Sequence, residues 1–196
     1  GGIQPGGTMR HIYEGLGVSA DLSFCEINPD GFDHVIIAGE RFDIPKGREK
    51  YINRLQERFP DEKEGIRDYF DAIDGLMGDI ARLGRIKGAG SAVKTAVSSP
   101  HAIRWGLRSA QAMMDRYLTD PMLKAIVSAQ AGDHGMPLSE VSAPVHAGVI
   151  HHYYEGGFYP LGGAFAIPRA FVRALKRAGG EIRLQTAVSQ IIMEDG

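Results

Sequence analysis

Ile66, Tyr69, Phe70, Ile73, Leu76, Met77, Ile80 and Leu83 form an i, i+3, i+4, i+7 series that runs without a break over about five helical turns. A stripe of that length must be covered, so the spacing predicts a core helix around which neighbouring elements pack. Asp61 with Glu64 supplies a capping pattern at its start. The preceding helix, residues 48–59, places Tyr51, Ile52, Leu55 and Phe59 on one side and is stopped by Pro60. Ser99-Pro100 and Asp120-Pro121 each read as a cap residue followed by proline at the first helical position. They open helices carrying Ile103, Leu107, Ala110, Met114 and Tyr117, and then Leu123, Ile126 and Val127. A further helix, residues 143–154, ends at Gly156-Gly157.

Strand signals are fewer. Residues 22–26, 34–38 and 42–44 read as strands separated by Asn28-Pro29-Asp30-Gly31 and by a turn at Ala38-Gly39-Glu40-Arg41. The expectation is a small antiparallel meander in a mainly helical α+β chain. Part of the glycine excess, 26 of 196 residues, punctuates these short elements.

A formal net charge of −2 argues against a general nucleic-acid binder. No stretch approaches the roughly 18 uninterrupted apolar residues of a membrane span, and none has the pattern of a signal peptide. Cys25 is the single cysteine, which excludes an internal disulfide and makes a reducing compartment, the cytoplasm, the default. Seven histidines invite a metal reading, yet no pair lies at i, i+4 on a helix, and the adjacent His151 and His152 diverge by about 100°. No metal site is expected. The plainer account has His146, His151 and His152 on helix positions that face a cleft or solvent. Gly88-Ala89-Gly90 lacks both a preceding buried strand and a third glycine, so it reads as a connection and not as a phosphate cradle. Neither a Gly-x-Ser-x-Gly elbow nor a Walker-type loop is present.

Residues 80–114 contain no acid, while Arg82, Arg85, Lys87, Lys94, Arg104 and Arg108 supply six cations beside Trp105. A solvated face or a docking surface for a further domain accounts for such asymmetry. Peripheral contact with anionic lipid is the alternative, with the indole at headgroup level.

The last forty or so residues are the most specific. Tyr159-Pro160-Leu161-Gly162-Gly163 reads as a turn, and Phe165, Phe171, Val172 and Leu175 then share a helical face. Lys176 and Arg177 fall in the last turn, and Gly179-Gly180 supplies a left-handed stop. Ile182 and Leu184 alternate with charged neighbours, and a strand is expected to run on through residues 186–193. This order resembles the segment by which phytoene desaturases, carotenoid isomerases and retinol saturases re-enter their FAD domain. Gly15-Leu16-Gly17-Val18, residues 28–33 and Ile44-Pro45-Lys46-Gly47-Arg48 resemble that family's earlier elements, and residues 152–160 with Gly162-Gly163 look closest to retinol saturases.

The resemblance implies a flavin oxidoreductase acting on carbon–carbon bonds of a long apolar isoprenoid, a carotenoid or a retinoid. It implies FAD contacts at Gly162 and Gly163 and at the backbone of Val188. Tyr153, Phe158 and Tyr159 become candidates to line the substrate path, although such aromatics are more often core. Residues 1–157 would form the substrate-binding domain and 158–196 a returning piece of the FAD domain. The family's opening strand, Gly-x-Gly-x-x-Gly turn and ribose-binding acid are absent from this chain, as is its C-terminal FAD motif. The chain is therefore read as an internal fragment that alone neither retains FAD nor turns over substrate. No catalytic acid or base is named, because no titratable group has a recognisable partner. Two other readings stay open: a non-catalytic lipid or isoprenoid-binding module, and a relative of the flavin amine oxidases.

Overall fold

The computed structural model describes residues 2–84 and 98–193. The Gly88-Ala89-Gly90 connection, three of the six cations and the turn at residues 194–196 lie outside the described residues. The first elements are α1 (Thr8–Gly15), β1 (Phe24–Glu26), β2 (Asp33–Ile37) and β3 (Glu40–Ile44). Helices α2 (Arg48–Arg58), α3 (Lys63–Leu83), α4 (Pro100–Trp105), α5 (Ala110–Tyr117), α6 (Pro121–Val127) and α7 (Ala143–Tyr153) follow. The chain ends with β4 (Phe158–Pro160) and α8 (Ala166–Arg177). The architecture is α+β and mainly helical. Two compact units are present, one of residues 26–157 and one in which residues 2–25 pack with residues 158 onward.

In the first unit the apolar stripe of α3 is the centre. Ile66, Tyr69, Phe70, Ile73 and Leu76 are buried, with Met77 and Ile80 packed against the same core. Tyr51, Ile52 and Leu55 of α2, Met113 and Met114 of α5, and Ala147 and Ile150 of α7 cover that stripe. Two glycines on α3 permit close approach: a Cβ at Gly65 would fall 2.2 Å from the Tyr117 carbonyl oxygen, and one at Gly75 2.5 Å from the His101 ring. Periodicity alone does not reveal this use of glycine, because its cause is a neighbour distant in sequence.

Side chains remote in sequence decide several helix starts. Asp61 sits inside a short 3-10 turn, Pro60–Glu62, and α3 has no side-chain cap. Glu62 instead turns its carboxylate to the backbone N–H groups of Thr119 (2.9 Å) and Asp120 (2.6 Å). Asp120 then caps α6, accepting from Met122 (2.8 Å) and Leu123 (2.9 Å), as its sequence position predicts. Ser99 makes no cap bond. Its task falls to Asp79, which accepts from the N–H groups of His101 (2.8 Å) and Ala102 (3.0 Å) while pairing with Arg82.

The expected meander divides. β2 and β3 form an antiparallel hairpin in which Val35 faces Phe42, joined through Ala38 and Gly39, both at positive φ. β1 does not join them and pairs with β4. Periodicity identifies a strand, but only a ladder partner places it in a sheet.

In the second unit Tyr13, Val18 and Ala170 form a small core with Met9, Leu22, Phe24 and Ala174 against it. The Tyr13 ring stacks on Phe24 (6.1 Å, 3°) and meets Phe171 edge-on (6.1 Å, 78°). Asp21 ties α8 down by pairing with Arg177 at 2.7 Å, with Arg173 at 3.6 Å. Those guanidiniums, Arg177 first, hold the Asp21 carboxyl below the usual carboxylate range. Beyond α8 the expected strand is not formed. Residues 186–193 take no regular structure, because none of the described residues supplies a ladder for them.

Candidate functional site

A cavity of about 420 Å³ lies in the second unit, walled by Ile3, Tyr13, Leu22, Phe24 and Phe158, with Gln4, Arg10, Ser19 and Ser23 as its polar lining. Its walls come from the loop before α1, from α1 itself and from the β1 and β4 strands. Alternation along β4 explains the choice of Phe158: this residue is half-buried toward the cavity, whereas Tyr159 is exposed. Arg10 is held by Glu14 at 3.1 Å on the same helix. That volume lies within the range of small-ligand sites lined by apolar side chains and a few polar groups.

Phe158 is thus the one sequence-predicted residue that lines this cavity. The Tyr159 side chain stands away from it, and its carbonyl accepts the Cys25 thiol at 3.3 Å. Tyr153 belongs to the first unit, where its ring stacks on Phe32 (5.6 Å, 13°). Burial, with Asp133 beside it, pushes the Tyr153 hydroxyl up to about 12, so it remains protonated at neutral pH. Ile3, Tyr13, Leu22 and Phe24 were not singled out from sequence as lining residues. Tyr13 and Phe24 belong to the apolar spacing of α1 and β1, and Ile3 and Leu22 to the segments before them, none of which says anything about a distant strand closing over them.

Gly162 and Gly163 both adopt positive φ, +86° and +82°. They form the turn that leads into α8: the Gly163 N–H donates to the Pro160 carbonyl (3.1 Å) and the Gly163 carbonyl accepts from Ala166 (2.9 Å). An added Cβ at Gly163 would meet nothing within 4 Å, so the backbone here is open to approach. Arg169 arches over this turn, donating to the carbonyls of Phe165 (3.2 Å) and Gly162 (3.3 Å). Val188 lies 81% exposed. Its N–H is in no backbone hydrogen bond among the described residues. Val188 therefore presents unpaired main chain, whereas the Gly163 N–H and carbonyl and the Gly162 carbonyl are engaged within their own turn.

The first unit carries a second polar feature that sequence reading placed at a cleft or in solvent. His146 on α7 is buried, and its Nδ1 lies 3.1 Å from Nε2 of His134. Only one proton can occupy that line. Burial, then the facing His134, lowers His146 to about 4, so the His146 ring is neutral at pH 7. His151 and His152 on the same helix are exposed, as expected. Among the described residues no group of three or more His, Cys, Asp or Glu side chains is arranged to hold a metal ion.

Trp105 does not stand where the lipid reading of the basic segment put its indole. Its indole is 1% exposed, in the main core beside Tyr117, and is covered outside by the guanidiniums of Arg104 (4.9 Å) and Arg108 (5.6 Å). A ring so enclosed cannot settle among lipid headgroups. No helix among the described residues is long and apolar enough to cross a membrane.

By sequence the chain is related to a class of oxidoreductases, those acting on retinol. Its relatives carry the name all-trans-retinol 13,14-reductase. The Danio rerio protein of that name is 28% identical over 186 residues, covering 84% of this chain. The Homo sapiens protein is 22% identical over 175 residues, covering 83%. A second Danio rerio relative, named inactive all-trans-retinol 13,14-reductase, is 21% identical over 164 residues. The chain spans 29% of the length of the first of these, and 28% and 27% of the other two. No protein-family model matches it.

Proposed function

We propose that this chain is the substrate-binding part of an FAD-dependent oxidoreductase that acts on a carbon–carbon bond of a long apolar isoprenoid, with a retinoid favoured over a carotenoid. The observation that carries this reading is similarity over most of the chain to proteins named all-trans-retinol 13,14-reductase. The cavity behind Phe158 supports it through its apolar wall of Ile3, Tyr13, Leu22 and Phe24, since a polyene is bound by excluding water from its length. FAD, when bound, supplies the hydride chemistry. The Val188 backbone would hold it through its unpaired N–H, and the Gly162-Gly163 turn would let it approach closely, since the space where a Gly163 Cβ would stand is empty. Phe158 would orient the polyene, and Tyr153 and Tyr159 would line other stretches of its path. The reaction is saturation, desaturation or isomerisation of the bound polyene.

The test is expression of the full-length parent with anaerobic turnover of all-trans-retinol, followed by chromatography of the products and spectroscopy of the flavin. A yellow protein that alters a polyene double bond supports the reading. A colourless parent that still binds retinol with micromolar affinity would establish the non-catalytic binding module instead.

A further inference from the structure

Trp105 is withdrawn from the surface, yet the turn that carries it leaves two large aliphatic side chains in water. Ile103 is 70% exposed and Leu107 103%. Helical hydrogen bonding runs past α4, with Gly106 donating to Ala102 (2.8 Å) and Arg108 to Trp105 (3.1 Å). Ile103 and Leu107, four residues apart, therefore rise on one side, and Arg104 and Arg108 rise beside them at the same spacing. Arg48, Arg58, Arg67 and Arg82 of the same unit all meet carboxylates. Arg104 and Arg108 are in no ion pair among the described residues. Both are laid against the outer face of the Trp105 ring, which fixes their position beside the exposed aliphatics.

We propose that Ile103 and Leu107 are inserted into an anionic lipid surface while Arg104 and Arg108 engage its phosphates. Two aliphatic side chains projecting from a pair of oriented guanidiniums match the layering of a bilayer face, where acyl chains lie directly beneath anionic headgroups. A nucleic acid satisfies the cations but offers nothing to the aliphatics. A protein groove satisfies the aliphatics, but it needs carboxylates placed opposite both arginines. The attachment requires only this surface, whichever reaction the parent carries out.

The experiment is co-sedimentation of the chain with vesicles of phosphatidylcholine, alone or mixed with phosphatidylglycerol. Binding is expected on the mixed vesicles, falling severalfold between low salt and about 0.5 M as exposed charges are screened. Leu107→Ser and Ile103→Ser should each reduce it severalfold, and Arg104→Gln with Arg108→Gln by about tenfold or more. Leu107 is fully exposed, and thermal unfolding followed by far-ultraviolet circular dichroism verifies that each variant is folded. In the full-length parent the same Leu107→Ser change should move protein from the membrane to the soluble fraction. Equal binding to both vesicle types, binding to neither, indifference to Leu107→Ser, or a parent that does not redistribute would each overturn the proposal. So would concentration-dependent self-association abolished by Leu107→Ser in sedimentation velocity, which would assign the patch to a second copy of the chain.

Discussion

The Asp79 carboxylate accepts the backbone N–H of His101 at 2.8 Å, so the start of α4 is capped by a residue 22 positions earlier, on α3. The side chain is 1% exposed and receives a second N–H, from Ala102, together with the Arg82 guanidinium. Such a carboxylate is a joint between helices, and its loss strands two part-buried donors.

Asp79→Ala should therefore destabilise the first unit by about 3 kcal/mol, and Asp79→Asn, which keeps one acceptor, by about 1 kcal/mol. Urea unfolding followed through Trp105, which lies on the helix Asp79 caps, measures both. Equal midpoints for Asp79→Ala and the unsubstituted chain would show that water replaces the carboxylate.

His146 makes stability depend on acid. Its folded value, lowered to about 4 by burial and by His134, lies below the ordinary 6.5 of the unfolded chain, so the unfolded state binds the extra proton first. The contribution is complete above pH 6.5 and is lost as pH falls toward 4, by up to about 3 kcal/mol. A thermal-melt series across that window should show the decline, and His146→Gln should flatten it. His134→Gln, which removes only the facing ring, should lessen the slope without abolishing it.

Phe158→Ala should enlarge the apolar cavity and remove contact with the polyene. In the full-length parent we expect KM for a retinoid to rise about tenfold or more with kcat little changed, the pattern of lost uniform binding. Steady-state kinetics separates the two. A fall in kcat at constant KM would place Phe158 in the reacting geometry instead.

Val188→Pro should remove the N–H that we assign to FAD and abolish flavin retention in the parent, whereas Val188→Ile should be nearly silent. The ratio of flavin to protein absorbance after purification reads both. Equal losses would point to the side chain or to folding. The present chain, lacking the pyrophosphate turn, should purify colourless, and stoichiometric flavin absorbance would refute its reading as a fragment of the cofactor site.

Local spacing by itself determined the helical body of this protein. The stripe from Ile66 to Ile80, the one-sided α2, the cap at Asp120 and the Gly162-Gly163 turn all follow from neighbours within a few residues, and motif order pointed to the retinol saturase relatives. Tertiary structure decided whatever depends on a distant partner. It assigned β1 to β4 and not to the β2–β3 hairpin, and gave the capping of α4 to Asp79 in place of Ser99. It also buried Trp105, which the lipid alternative set at headgroup level, and His146, expected to face a cleft or solvent, and left Val188 in an unpaired stretch where a strand was expected. The physical reason is common to these cases: periodicity states that a residue has an apolar or polar face, but hydrogen bonding and burial are completed only by the element that arrives opposite it.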